Sequence, residues 1–297
     1  MMDLDLGQLE ALAATVSEGT FEAAARTLHV TPSAISQRIK TLEKSVGRVL
    51  VTRAKPVRPT ASGEVLLRLA RQIQTVTADV AREIGGDEAA GAPVVISLAA
   101  SADSLATWLL PALARVGPPV VFDLHRDDEE LTADLLRQGT VMAAVTAVSE
   151  PVPGCSVDYL GAMRYRPSAS PAFVDRWFPG GVTPSALARA PMVVFDRADQ
   201  LQDRYLRRRA GGDVRPPRHH VPGSAEFVTA VRLGLGWGML PDLQTGPAAG
   251  LGAPRFVDLD PPGGIDVRLF WQQWKLGSAA LGRVAEAVRT AATDGLR

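Results

Sequence analysis

Apolar residues recur along this chain in three rhythms, each marking a different kind of element. Near the N-terminus, Leu9, Leu12, Ala13 and Val16 form one stripe closed by Gly19. Phe21, Ala24, Ala25 and Leu28 form a second, spaced i, i+3, i+4, i+7 as on one helix face. Thr20 can cap that second helix with its hydroxyl. Thr31-Pro32 then opens a third helix, because threonine is a favoured N-cap and proline suits the first helical position. At about 100° per residue, Ile35, Ile39 and Leu42 share one side of it. Ser33, Ser36, Gln37, Lys40 and Lys44 share the other, with Arg38 on the flank. The pattern predicts three short helices with a tight turn between the last two.

Past Leu42 the rhythm changes. "VGRVLVTRAKPVRPTASG" combines β-branched and basic residues with Pro56 and Pro59, and predicts a β-hairpin wing with Val49–Arg53 as one strand. A solvated basic loop is the alternative. From Ser62 to Ile84 no proline intervenes, and Leu66, Leu69, Ile73, Val76 and Val80 repeat at 3, 4, 3, 4, a heptad seam. Such a helix needs a partner, and the same helix of a second copy is the expected one. "GGDEAAGAP" (Gly85–Pro93) reads as a flexible linker.

From Val94 the third rhythm begins, with short apolar runs alternating with helical segments. Strands are expected at Val94–Ala100, Val120–His125 and Val141–Thr146, with helices at Ser104–Val116 and Glu129–Gln138 between them. This alternation argues for a parallel sheet with helices on both faces. A chain switch around Tyr159–Pro167 leads to a second set: strands at Met192–Phe195, His219–Val221 and Trp237–Leu240, and helices at Gln200–Arg209 and Ala225–Leu233. A last strand, Val267–Trp274, and helix, Ser278–Ala292, return to the first sheet. The fold class is therefore α/β with an all-α winged helix-turn-helix at the N-terminus. A helix-turn-helix domain (1–61) leads through a linker helix and hinge (62–92) to a two-lobed α/β domain (93–297) like a periplasmic binding protein. Lobe I spans about 93–162 and 268–297, and lobe II about 163–267. A length of 297 residues fits about two domains.

The formal net charge is zero, but it is unevenly distributed. Between Thr20 and Thr60 lie Arg26, Arg38, Lys40, Lys44, Arg48, Arg53, Lys55 and Arg58, against Glu22 and Glu43, a local excess of six. That is the electrostatic footprint of a nucleic-acid-binding module. The polar face of the third helix carries hydroxyls, an amide and cations without an acid. Glutamine can pair with adenine, arginine or lysine with guanine, and serine with bases or phosphates. Thr31, Ser33, Ser36, Gln37, Arg38 and Lys40 are the candidate DNA-binding residues there, with Arg53 and Arg58 reaching backbone phosphates from the wing. An amphipathic helix pair with a merely solvated face is the competing reading.

Enzyme chemistry finds little support. His29, His125, His219 and His220 lack metal-ligand spacing, and neither a GxSxG elbow nor a Walker loop occurs. Cys155 is the one cysteine, which excludes an intramolecular disulfide and a cysteine-based zinc site and fits a reducing compartment. The N-terminus is acidic without a leader pattern, and no apolar run approaches the roughly 18–20 residues of a membrane span. A cytoplasmic protein with no metal, no cofactor and no membrane partner is expected.

The N-terminal residues resemble a known family. Phe21, Ala24, Ala25, Leu28, Ser33, Ala34, Ser36, Ile39, Leu42, Glu43, Gly47, Arg53, Thr60 and Gly63 fit the winged helix-turn-helix of LysR-type transcriptional regulators. The order helix-turn-helix, wing, linker helix and two-lobed domain fits over the whole chain. "ADSLATWLLPAL" (Ala102–Leu113), "FVTAVRLGLGWGMLP" (Phe227–Pro241) and "LFWQQWKL" (Leu269–Leu276) look like the lysine- and arginine-sensing branch, the ArgP/LysG type. Where the wider family has an aromatic residue two positions before the wing arginine, this chain has Val51. The resemblance implies an activator that responds to lysine or arginine and often controls an exporter gene. It also implies a homodimer or tetramer acting on double-stranded DNA, with RNA polymerase as a candidate partner.

A cleft for such an effector needs donors for the carboxylate and acids for the two cationic ends. "ASADS" (Ala100–Ser104) is a strand-to-helix junction whose free N–H groups and hydroxyls suit an anion. Ser101, Ser104 and Thr146 are the expected donors. Asp103 can hold the α-ammonium or serve as a cap. Asp196 and Glu226 are the candidates for the distal cation, or are solvated first-turn acids. Two further readings stay open: an architectural or origin-binding DNA protein without a sensor, and a solute-binding protein or enzyme with a helical accessory domain.

Overall fold

The structure is a computed structural model, and it describes residues 4–52, 54–84, 93–126, 132–211, 214–245 and 256–297. The predicted linker at 85–92 and the wing residue Arg53 lie outside the described residues, as do the first three positions of the helix predicted to begin at Glu129.

Helix α1 (Leu6–Glu18) is capped by Asp5 and closed by Gly19 in the left-handed region (φ 70°). Thr20 caps α2 (Phe21–Thr27), and Thr31 caps α3 (Pro32–Val46) by accepting from the Ala34 N–H at 3.2 Å. The three apolar stripes converge: Leu9, Leu12, Ala24, Ala25, Ile35, Ile39 and Leu42 are all buried in one cluster. Each large aliphatic side chain so buried contributes about 1.5–3 kcal/mol. The wing is short, with β1 (Val51–Thr52) antiparallel to β2 (Arg58–Pro59). Val51 is buried in the same cluster. Glu43 on α3 accepts from the Leu50 N–H at 2.9 Å and so fastens the wing to the recognition helix. Gly63 lets α4 (Ala61–Ile84) start against the wing, because a Cβ there would stand 1.9 Å from the Leu50 carbonyl oxygen.

The heptad seam of α4 divides. Leu66 is buried in the N-terminal core, and Leu69 and Ile73 pack against it, so the first half of the seam is used within its own chain. Of the seam residues only Val76 and Val80 remain exposed, at 43% and 46%. A seam free along its whole length is thus corrected to its C-terminal part. In its first half α4 also meets lobe I. The Arg68 guanidinium donates to the Pro153 carbonyl at 3.4 Å, and Arg71 donates to that of Gly139.

The C-terminal region is built on a seven-stranded mixed sheet with the path β10-β6-β11-β5-β3-β4. In chain order these are β3 (Val94–Ala100), β4 (Val120–Arg126), β5 (Ala143–Thr146), β6 (Cys155–Ala169), β9 (Gly238–Pro241), β10 (Val257–Asp258) and β11 (Ile265–Trp274). β3 is parallel to β4 and β5, as predicted. β11 is antiparallel to both β5 and β6, and β9 also pairs with β6 antiparallel. The chain switch expected around Tyr159–Pro167 falls inside one strand of 15 residues and not in a loop. The first part of that strand pairs with β11, and its last residues pair with β9 and β10. A separate parallel pair, β7 (Met192–Val194) and β8 (Arg218–His220), underlies lobe II.

Helices cover this frame. After β3 the chain turns into a continuous helical segment whose middle, Leu105–Leu109, is a π-helical turn. That segment begins at Ala102, two residues earlier than predicted, which places Asp103 in its first turn. Its Trp108 and Leu109 join Leu281, Val284 and Val288 of the C-terminal helix Ala279–Gly295 in the main core.

Candidate functional site

On α3, burial of Ile35, Ile39 and Leu42 turns the opposite face outward. Ser33, Gln37 and Lys40 are exposed, as are Thr31, Lys44 and Arg48. Ser36 and Arg38 are half-buried, and Arg38 lies beside Gly7 of α1. The Thr31 hydroxyl is engaged as the helix cap, so it positions α3 as well as facing outward. Arg58 is exposed on β2. Its place beside Thr52 puts a cation on the wing next to the recognition face. The arrangement brings hydroxyls, an amide and cations onto the outward face of one helix, the composition a major groove accepts.

A second site lies between the lobes. A cleft of about 560 Å³ is lined by Ser101, Asp103, Arg126, Asp196, Asp199 and Gln202, among others. The size suits a small metabolite. Ser101 caps the helix after β3, its Oγ accepting from the Ser104 N–H at 3.2 Å. Asp103 sits at the centre. Its carboxylate accepts from the Tyr165 hydroxyl at 3.0 Å and from the Ser224 hydroxyl at 2.6 Å. The Ser224 oxygen in turn accepts from the Gln244 amide at 2.8 Å. Burial pushes the Asp103 carboxyl above the ordinary carboxylate range, and the Ser224 and Tyr165 hydrogen bonds oppose that shift. A cation arriving beside this acid favours its ionised form.

On the far side, Asp196 is exposed and occupied locally, accepting from the Ala198 and Asp199 N–H groups at 2.7 and 3.0 Å. Asp199 lies deeper. Its oxygens accept from the Phe195 N–H at 3.0 Å and the Leu201 N–H at 2.9 Å. Burial raises its carboxyl too, against those hydrogen bonds and one from the Gln202 side chain.

The cleft thus gathers Ser101, Asp103 and Asp196 of the predicted residues and leaves out three. Ser104 is fully buried behind Ser101, as is Thr146, whose hydroxyl accepts from the Val148 N–H. Glu226 is an exposed first-turn acid that does not line the cleft. The Thr146 hydroxyl at its strand end is taken up by its own loop, and the Ser104 hydroxyl, inside the helix, pairs with that of Ser101. Tyr165, Asp199, Gln202, Ser224 and Gln244 were missed. Only Asp199 carried a signal, as the acid before the helix at Gln200 in "FDRADQ". Tyr165 was hidden in a strand read as a switch.

No group of histidine, cysteine or acidic residues among the described residues is placed to hold a metal ion. Cys155 is buried, and desolvation pushes its thiol up to about 11. No described helix is long and apolar enough to cross a membrane.

A winged helix-turn-helix with an outward basic and amide face, coupled to a two-lobed domain with a metabolite-sized cleft, defines a DNA-binding regulator with a sensor domain. Residues 6–64 match the bacterial regulatory helix-turn-helix protein model of the lysR family, and residues 90–293 match the LysR substrate binding domain. The chain belongs to the LysR family of transcriptional regulators. It is 45% identical over 291 residues to the HTH-type transcriptional regulator LysG of Mycobacterium bovis, covering 98% of this chain and 94% of that one. Among solved structures it is similar to ArgP from Mycobacterium tuberculosis, with a TM-score of 0.89, 44% identity and 99% of each chain covered. It is also similar to full-length LysG of Corynebacterium glutamicum with bound effector Arg. There the TM-score is 0.80 and the identity 38%, covering 99% of this chain and 100% of that one.

Proposed function

We propose that this regulator senses a basic amino acid, lysine or arginine, in the cleft between its lobes and transmits that binding to DNA. One observation carries the reading: the cleft is lined by three carboxylates, Asp103, Asp196 and Asp199, against two cations, Arg126 and Arg204. That leaves one net negative charge, the complement of a zwitterion with a cationic side chain. The relatives named LysG and ArgP, one of them holding Arg, point the same way.

In this reading Asp103 takes the α-ammonium, since its carboxylate faces the cleft from the centre. Ser101, with the rim cations Arg126 and Arg204, takes the carboxylate. Ser33, Ser36, Gln37, Arg38 and Lys40 read the DNA, and Arg53 and Arg58 hold its backbone. The exposed Val76, Val80 and Ile84 of α4 join two copies into a dimer, which presents two recognition helices to a two-fold related site. Dimers of that kind can pair into a tetramer. The protein acts in the cytoplasm, catalyses no reaction, and controls an amino-acid exporter or related gene in concert with RNA polymerase. An effector shifts such an assembly only through its differential affinity for two states.

The test is footprinting on the DNA upstream of the candidate exporter gene. Arginine or lysine at millimolar concentration is expected to change the length of the footprint or its hypersensitive positions, and glutamate is not. A footprint that none of them alters contradicts the sensing function.

A further inference from the structure

Among the described residues that line the cleft, one buried side-chain polar atom has no hydrogen-bond partner. Gln202, at 1% exposure, lines the cleft from the second position of the helix Leu201–Ala210. Its side chain lies against Asp199 and favours the ionised form of that acid, as an amide nitrogen turned toward it does. Flipping the amide would set its carbonyl oxygen against that carboxylate, which disfavours the other orientation. Oε1 is therefore left buried with no hydrogen-bond partner. Buried carbonyl oxygens are seldom left so, because the lost hydration is not replaced. The neighbouring Asp199 carboxylate already accepts two backbone N–H groups and still has lone pairs to offer.

We propose that Gln202 Oε1 and the Asp199 carboxylate form the subsite for the effector's distal cation, and that Gln202 sets the preference for cationic over neutral side chains. This rests on the basic amino-acid reading above and assigns the distal end to Gln202 and Asp199 instead of Asp196 or Glu226. The chemistry is one-sided. An orphan acceptor beside an anion welcomes a group that brings only donors, which an ammonium or a guanidinium does and a carboxylate or hydrocarbon does not. Asp196 is less suited, being exposed and already closing its own turn. Glu226 does not line the cleft.

Calorimetry on the full chain with L-arginine, L-lysine and L-norleucine tests this, on wild type, Gln202→Leu and Asp196→Asn. Wild type is expected to bind both cationic ligands at least about tenfold more tightly than norleucine. Gln202→Leu is expected to weaken arginine and lysine by about tenfold or more, since a charged donor then faces a hydrocarbon. It leaves norleucine unchanged, and Asp196→Asn weakens arginine and lysine less than Gln202→Leu does. The ligand-free Gln202→Leu protein is expected to melt close to wild type, the removal of an unsatisfied carbonyl offsetting the lost contact with Asp199. Unchanged arginine binding in Gln202→Leu overturns the assignment and leaves water as the partner of Oε1. So does an equal loss for every ligand accompanied by a lower melting temperature. Failure of wild type to bind either cationic amino acid overturns the sensing reading itself, a result distinct from the other two.

Discussion

The Ser224 hydroxyl donates to the Asp103 carboxylate at 2.6 Å, joining residues that stand 121 positions apart. Asp103 belongs to the helix start after β3 in lobe I, and Ser224 opens the helix Ser224–Arg232 in lobe II. The bond therefore spans the cleft, and an ammonium entering the cleft competes with Ser224 for the same carboxylate. Lobe geometry and ligand binding meet at this one acid.

Stability is expected to depend on pH through that acid and Asp199. Both have folded values raised above 3.8, chiefly by burial. The folded state then keeps protons that the unfolded chain has released. Their contribution is fully present below 3.8 and is lost as pH rises through the raised values. Melting temperature measured against pH is expected to fall across that window, and Asp103→Asn to flatten the fall. Arginine, which favours the ionised forms, is expected to raise the melting temperature more as pH increases. An identical pH slope in Asp103→Asn contradicts the assignment.

On DNA, Gln37→Ala and Arg58→Ala are expected to behave differently. Gln37 is exposed on the outward face of α3, so its loss relaxes preference at one or two base pairs at a cost of about 1–3 kcal/mol. Arg58 sits on the wing, so its loss weakens binding to all sequences alike and lowers the salt slope by about one. Fluorescence anisotropy with matched and scrambled operators at several salt concentrations separates the two. A changed base preference in Arg58→Ala contradicts the division of labour.

The association state is expected to rest on the exposed end of α4. Val76→Asp with Val80→Asp places charges in the remaining seam without touching the N-terminal core, where Leu66 is already buried. Light scattering should find the wild type dimeric or larger and the double variant dissociated at micromolar concentration. A double variant with unchanged mass locates the interface elsewhere.

Gly139 couples the sensor to the helix that carries the DNA-binding domain. Its φ is +68°, and a Cβ there would stand 2.7 Å from Arg68 Cα on α4. Its carbonyl also accepts from Arg71, which reaches Ser17 of α1 with its other terminal nitrogen at 3.3 Å. Gly139→Ala is expected to cost about 1–3 kcal/mol from backbone conformation and contact with α4. It is also expected to weaken the effect of arginine on DNA binding. Chemical denaturation and the anisotropy assay check the two effects, and a variant wild-type in both removes Gly139 from the coupling path.

How far the sequence could be read follows the range of each interaction. The caps at Thr20 and Thr31, the glycine stops and the buried stripes of α1 to α3 are local patterns, and each stands where the spacing put it. The parallel order of β3, β4 and β5 was equally legible, because alternation of strand and helix permits few topologies. The strand shared by both lobes was not legible, since nothing near Tyr159–Pro167 announces that β9, β10 and β11 return to pair with it. The cleft shared that limit. Asp103 and Ser101 were found from a local junction. Their partners Tyr165, Ser224 and Gln244 come from distant segments that only the folded topology brings together. Ser104 and Thr146 failed for local reasons: the Thr146 hydroxyl at a strand end serves its own loop, and that of Ser104 pairs with the Ser101 hydroxyl.

The central claim is that the cleft binds a basic amino acid, and a thermal-shift panel of the twenty amino acids on the full chain tests it most directly. A native-state ligand raises apparent stability by mass action, by about 2.7 kcal/mol at one hundred times its dissociation constant. The account predicts a rise in melting temperature with arginine and lysine that leucine, glutamine and glutamate do not produce. No rise with either basic amino acid, or an equal rise with leucine or glutamate, contradicts it.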